Sequence, residues 1–270
     1  MDFDRFKITG NKKVDLSDFE TNFDGGAKDS DLKKKTQKIW DELAQLQEQL
    51  YAESKQSVLI VLQAMDAAGK DSTIGKLTRP LNVQGCHVHS FKKPTNLEQS
   101  HDFLWRTHAK APANGEITIF NRSHYEDVLV VKVHGWESDD EINSRYQKIN
   151  QFESLLASNN TKVIKFMLNI TPEYQLDRFK RRLDNPGKNW KFNPGDLDER
   201  KLWTDYMSAF EVALENCASE ESPWYVVPAE NRRFRNLMIA SVVRDELKKM
   251  DPQYPKPEFD ASVYTSDSIS

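Results

Sequence analysis

Ser57-Val-Leu-Ile-Val-Leu-Gln63, followed at once by Ala64-Met-Asp-Ala-Ala-Gly-Lys-Asp-Ser-Thr-Ile74, decides how the rest of the chain is read. The first run is short and continuously apolar, as in a strand buried on both faces. The residues after it have the spacing of a phosphate-binding loop, G-x-x-x-x-G-K-[ST], with two departures. Ala64 stands in place of the first glycine, and Asp71 follows the lysine. Between a strand and a helix-forming segment, Ala67, Ala68, Gly69, Lys70, Asp71 and Ser72 would turn backbone N–H groups and a helix dipole toward an anion. Lys70 would add a full positive charge. Asp66 is the informative residue, because a carboxylate in such a cradle repels its ligand unless a divalent cation lies between them. Asp66 is therefore expected to be a ligand or outer-shell partner of Mg²⁺, with Mn²⁺ as an alternative ion. The bland alternative is a turn glycine, an exposed lysine and an aspartate capping the next helix.

Outward from this segment, apolar runs and helical periods alternate. Upstream, Leu32, Thr36, Ile39, Leu43, Leu46 and Leu50 recur at steps of four and three, which predicts an amphipathic helix over Asp31–Ser54. Downstream, 116–120, 162–168 and 224–228 read as further strands, and 87–91 as a weaker one. Helix starts are expected at Ser138-Asp-Asp-Glu141, at Thr171-Pro172-Glu173 and at the related Asp196-Leu-Asp-Glu199. Such alternation predicts an α/β fold of three layers, with a parallel sheet covered by helices on both faces. Ligands of these sheets bind beyond the carboxyl ends of the strands. The expected organisation is an N-terminal arm over 1–29, one domain over 30–250, and an irregular tail over 251–270.

Composition narrows the function classes. The 270 residues carry 42 acidic and 38 basic side chains, a net charge of −4, which argues against a general nucleic-acid coat. With 38% hydrophobic residues and 14 Phe, the chain is too apolar for disorder and polar enough for a soluble protein. No run suits a membrane span or an apolar leader, so a cytoplasmic protein without membrane or nucleic-acid partners is expected. Cys86 and Cys217 stand alone, and His87 and His89 share a strand face without a third ligand, so no zinc site or disulfide is expected.

The residues after the later strands carry the remaining chemistry. Asn121-Arg122-Ser-His-Tyr-Glu126-Asp127 follows the 116–120 strand. Arg122 could clamp a phosphate, while Glu126 and Asp127 could supply the negative charge that Asn121 lacks as a metal partner. An ordinary acidic helix start is the alternative for those two acids. Lys92, Lys93 and Arg106 could line a phosphate path, although each alone resembles a surface residue. Arg178, Arg181, Arg182, Lys188 and Lys191 make a locally basic stretch in which 178, 181 and 182 share a helix face, and Asn-Pro-Gly breaks bracket 188–192. That is a solvated face, or a lid over a polyanion at about 178–200.

Taken together, Gln63–Ile74, Ile119–Asp127 and Arg181–Phe192 resemble the family-2 polyphosphate kinases, and the similarity extends from about Lys33 to Met250, including Trp224–Ala229 and Arg233-Phe-Arg-Asn236. The resemblance implies a P-loop kinase fold with a helical lid and Mg²⁺-dependent phosphoryl transfer between inorganic polyphosphate and nucleotides. The Asn-Arg-Ser-His-Tyr-Glu-Asp form is similar to the subgroup acting on both AMP and ADP, giving ADP and ATP. By the same resemblance Asp66 and Lys70 fall on the family's first nucleotide-binding motif, Asn121 and Arg122 on its second, and Arg178, Arg181, Arg182, Lys188 and Lys191 in the lid, with Asp66, Lys70, Arg122 and Asp127 as the expected catalytic residues. Asn121, where many members have Asp, makes Glu126 or Asp127 the expected substitute beside Asp66 in metal binding. A homo-oligomer, dimer or tetramer, is expected, with the 31–54 helix packing on its own sheet or on a second subunit. The rival functions are a nucleoside monophosphate kinase using ATP, and a non-catalytic polyanion binder.

Overall fold

The computed structural model describes residues 3–10, 12–260 and 263–264. Six strands, β1 (Lys7–Ile8), β2 (Ser57–Gln63), β3 (Cys86–Ser90), β4 (Ile117–Asn121), β5 (Thr161–Asn169) and β6 (Trp224–Pro228), form one sheet in the order β1-β6-β5-β2-β4-β3. Every pairing is parallel except that of β1 with β6. All seven residues of β2 are buried. Val58, Ile60 and Leu62 enter one hydrophobic layer, and Leu59 and Val61 enter the other. Both faces are buried, which is why 58–62 are continuously apolar and the polar Ser57 and Gln63 stand only at the strand's ends. The edge strand β3 is half exposed, so its sequence carries histidines and serine and gives a weaker signal.

Besides four short 3-10 helices, the described residues form ten α-helices: α1 (Asp29–Glu53), α2 (Lys70–Leu77), α3 (Asn96–Gln99), α4 (Trp105–His108), α5 (Glu126–Val133), α6 (Asp139–Ser158), α7 (Pro172–Leu183), α8 (Gly195–Lys201), α9 (Trp203–Asn216) and α10 (Arg232–Met250). Residues of α1, α2 and α10 pack on one face of the sheet, and those of α5, α6 and α9 on the other. This is the expected three-layer α/β/α arrangement. On α1 the expected stripe is buried at Leu32, Thr36, Ile39, Leu43 and Leu50, while Leu46 is half-buried. Gln47 takes the inner place beside it, accepting from the Asn82 N–H at 3.0 Å. The helix lies along α10 of its own chain.

Two of the three expected helix starts hold. Ser138 Oγ accepts from the Glu141 N–H at 3.2 Å, and Thr171 Oγ1 accepts from the Tyr174 N–H at 3.1 Å with Pro172 in the first turn. Asp196-x-x-Glu199 does not cap α8, which begins at Gly195 with its N–H bonded to the Asn193 side chain at 3.0 Å. The Asp196 carboxylate instead accepts from Arg182 at 3.4 Å.

The described residues of the segment read as an arm have little regular structure, yet several of its apolar residues are buried. Phe6 is 1% exposed, and Phe3, Val14 and Leu16 are also buried. β1 extends the sheet, and Phe3, Phe6 and Phe23 pack edge-on against Phe234 of α10. The described tail residues, 251–260 and 263–264, belong to no helix or strand, and the rest of the tail lies outside the described residues. Among the described residues no helix is long and apolar enough to cross a membrane.

The helix-α6 side of the sheet contains a buried charge cluster. Lys165 of β5 and Glu153 of α6, at 0% and 2% exposure, form an ion pair, and Tyr125 Oη donates to Glu153 at 2.8 Å. His124 Nε2 lies 3.4 Å from the same carboxylate, and burial lowers its pKa. Burial would raise the Glu153 pKa, but Lys165 and His124 outweigh it and hold the carboxyl at about 2.

Candidate active site

β2 lies between β5 and β4, so the crevice beyond its carboxyl end is where the connections diverge to opposite sides. The loop 64–69 begins there and α2 follows it. Ala67 adopts φ +64° and Gly69 φ +108°, left-handed conformations that turn successive backbone amides inward. Lys70 folds back across the loop, its Nζ donating to the Ala64 carbonyl at 2.8 Å and to that of Met65 at 3.4 Å. Ser72 and Thr73 hydroxyls bond to the Gly69 carbonyl at 2.9 and 3.0 Å.

Asp66 faces the adjacent strand end. Arg122 Nη2 donates to Asp66 Oδ1 at 2.7 Å, and Arg122 Nη1 lies 3.8 Å from Glu126 Oε2. Burial raises the Asp66 pKa, but Lys70 and Arg122 outweigh it and hold the carboxyl below its ordinary value. The Lys70 ammonium is pulled down by burial against the attraction of Asp66. Burial also pushes Glu126 up, opposed by Arg122 and Lys70. Asp66, Lys70, Arg122 and Glu126 therefore share one electrostatic field.

The other candidates divide. Asn121 donates to Asp71 at 2.9 Å rather than turning to Asp66, and Lys191 reaches Asp71 at 3.9 Å. Asp127 turns away toward Arg106, 3.7 Å distant, with its Oδ2 buried and without a hydrogen bond. Burial pushes Asp127 up to about 6. The four expected metal partners, Asp66, Asn121, Glu126 and Asp127, are thus not gathered into one set, and among the described residues no three His, Cys, Asp or Glu are grouped as metal ligands. Two carboxylates, Asp66 and Glu126, remain on either side of Arg122. That is an oxygen donor set of the size Mg²⁺ takes when substrate phosphates complete its shell.

Arg106 is not a surface residue. It is 7% exposed and donates to the Lys92 carbonyl at 2.8 Å. Lys92, Lys93, Arg106, Arg122, Glu126 and Asp127 all line a cavity of about 1470 Å³ beside the loop. In the lid, Arg182 turns inward toward Asp196 and lies close enough to Asp66 to lower its pKa. Arg178 joins Arg232 and Arg182 in a basic cluster; burial and then Arg232 pull its guanidinium below the ordinary value. Arg181 also bears on Arg178, but it pairs with Asp177 at 2.8 Å on the exposed side, and Lys188 is exposed. A helix places residues four apart on one face more closely than those three apart, so 178 and 182 go inward while 181 does not.

Several functional neighbours were not singled out from sequence. Gln175, 1% exposed, donates to the Asp66 carbonyl at 3.0 Å and accepts from Arg200 at 3.1 Å, which ties the lid's base to the loop. Arg235 of α10 donates to the Ala68 carbonyl at 3.1 Å and to Ser72 Oγ at 3.0 Å. Arg235 lies within the quoted Arg233-Phe-Arg-Asn236, but one arginine in a helix gives no sign of which way it points.

The fold and this site define a kinase-type α/β transferase, with a strand–loop–helix segment at the tip of a mostly parallel sheet and a basic helix beside it. Residues 26–255 match the sequence pattern of the family described as Polyphosphate kinase 2 (PPK2), and the chain belongs to that family. It is 46% identical over 216 residues to an AMP/ADP-polyphosphate phosphotransferase of Meiothermus ruber, covering 80% of this chain and 81% of the relative. An ADP-polyphosphate phosphotransferase of Rhodopseudomonas palustris is 39% identical, with 93% and 92% covered. Among solved structures, polyphosphate kinase 2 from Arthrobacter aurescens TC1 superposes with a TM-score of 0.92 at 38% identity, covering 95% of this chain and 93% of that one.

Proposed function

We propose that this protein transfers a phosphoryl group between inorganic polyphosphate and nucleotides, converting AMP to ADP and ADP to ATP and running in both directions. The observation that carries the reading is the convergence of Asp66, Lys70, Arg122 and the lid's Arg182 at the tip of the central strand, in a chain of the polyphosphate kinase 2 family. An acceptor phosphate is already an anion near neutral pH, so a general base has little to do. What remains is alignment and neutralisation of charge. The loop amides and Lys70 hold the phosphate chain, and Arg122 faces the phosphoryl group in transit from a position set by Asp66. Arg182, with Arg178 and Arg232, lines the approach of the chain. The 1470 Å³ cavity, reached past Lys92, Lys93 and Arg106, receives the nucleotide. Asp66 and Glu126 would hold Mg²⁺ together with substrate phosphates; when bound it neutralises the phosphate oxygens. Homo-oligomer formation belongs to the same proposal and is read by light scattering.

The test is a coupled assay with Mg²⁺, AMP or ADP, and either long-chain polyphosphate or ATP as donor. Nucleotide phosphorylation with polyphosphate is the expected result. Product from AMP only when ATP is the donor would replace the reading with a nucleoside monophosphate kinase, and polyphosphate binding without turnover would leave a polyanion binder. Omitting Mg²⁺ is expected to abolish turnover.

A further inference from the structure

The first turn of α10 delivers a buried cation against the phosphate loop. Arg235 is 1% exposed. Its three hydrogen bonds, to the Ala68 carbonyl at 3.1 Å, Ser72 Oγ at 3.0 Å and Asn236 Oδ1 at 3.4 Å, all end on neutral acceptors. Among the described residues it has no carboxylate partner; the Tyr174 hydroxyl acts to raise its pKa, while Arg232 and Arg178, which have its own sign, act to lower it. Burial pulls the guanidinium down to about 10, which still leaves it charged at neutral pH. Loop and arginine are in tight contact, since a Cβ on Gly69 would lie 2.4 Å from Arg235 Nη1. The neighbouring Phe234 is fully buried, with the rings of Phe3, Phe6 and Phe23 centred 6.0, 6.1 and 4.9 Å away, so the N-terminal segment fixes where this turn of α10 sits.

A buried charge without a counter-ion is costly to an empty protein, and such groups persist where a ligand supplies the opposite charge. Its bonded partners, Ala68 and Ser72, belong to the phosphate-loop segment and the first turn of α2. We propose that Arg235 is a positioning residue that holds Ala68 and Ser72 in their anion-binding shape, and that its missing counter-ion is the phosphate chain occupying the loop. The inference rests on the reading of the loop as the polyphosphate site. It implies a trade: Arg235 destabilises the empty protein and stabilises the filled one.

The test compares wild type, Arg235→Gln and Arg235→Lys by thermal melting with and without long-chain polyphosphate, and by steady-state kinetics. Arg235→Gln is expected to melt no lower than wild type when empty and to lose most of the rise in Tm that polyphosphate induces. Its KM for polyphosphate should rise about tenfold while its KM for AMP stays within about threefold, as for loss of a charged hydrogen-bonding group. Arg235→Lys, which keeps the charge, should retain most of the polyphosphate-induced rise. An empty Arg235→Gln protein that melts lower or does not fold overturns the proposal and makes Arg235 a plain structural brace. An unchanged polyphosphate KM, or equal rises in both KM values, overturns it too. A wild type that neither gains stability from polyphosphate nor turns it over sinks the proposed function itself, a separate outcome.

Discussion

Arg122 holds Asp66 at 2.7 Å from a backbone that lies in the left-handed region, at φ +63°. An L-residue there is strained by about 1–2 kcal/mol, and such strain gathers at functional sites. The strand end supplies the reason: the Arg122 N–H still bonds to the Leu62 carbonyl of β2 at 3.1 Å, so the chain must turn sharply to send the guanidinium back across the loop. Removing the side chain should therefore separate activity from stability. Arg122→Ala and Arg122→Gly are both expected to lose about 10³-fold in turnover or more, by the precedent of neutralising arginines. The glycine variant should be the more stable of the two by about 1 kcal/mol in urea denaturation, because glycine accepts positive φ without strain.

Lys70→Ala is expected to leave melting close to that of wild type and to remove most turnover, by about 10³-fold. The side chain hydrogen-bonds only to the Ala64 and Met65 carbonyls, and when it is lost Arg122 still pairs with Asp66. Near-normal turnover in this variant would dissolve the assignment of the loop.

Asp127 predicts a pH dependence of stability. Burial raises its folded pKa to about 6, above the ordinary 3.8, so the folded protein binds its proton more tightly than the unfolded one. The group therefore costs stability as pH rises through that interval, and the full cost is present above about 6. Asp127→Asn should raise stability at pH 8 by at most about 3 kcal/mol, with the gain vanishing toward pH 4. A gain that is equal at both pH values would show that the carboxylate is not the strained group.

Glu153 has the opposite sign. Its folded pKa, about 2, lies below the ordinary 4.5, so its contribution is complete above about 4.5 and is lost as pH falls toward 2. Glu153→Gln leaves Lys165 buried and unpaired and should cost about 3–5 kcal/mol at pH 7. The double variant Glu153→Gln/Lys165→Met should recover a large part of that loss. Denaturation of the singles and the double closes this cycle, and simple additivity would mean the two charges do not depend on each other.

How far the chain could be read in advance follows from how local each signal is. β2 and the loop after it were legible because burial on both faces forces a continuous apolar run, and a phosphate cradle requires a fixed spacing. β1 was not legible: two residues carry no period, and Lys7–Ile8 becomes a strand only because β6 leaves an open edge beside it. Asp196 looked like a cap, yet Asn193 already served the α8 amide and Arg182 offered a better partner. Asp127 looked like a metal ligand from its place after β4, but the first turn of α5 aims it at Arg106 instead.

The order of residues alone settles that strands and helices alternate, that a Gly-Lys loop opens at the end of a buried strand, and that a basic segment comes later, since each depends on neighbours a few positions apart. Which acid faces Lys70, which lid arginine turns inward, and that Arg235 reaches the loop from 166 positions beyond Gly69 depend on helices and strands meeting in space. Those meetings are selected by the packing of two hydrophobic layers against one sheet, a global balance of volume and charge that no short window of sequence contains.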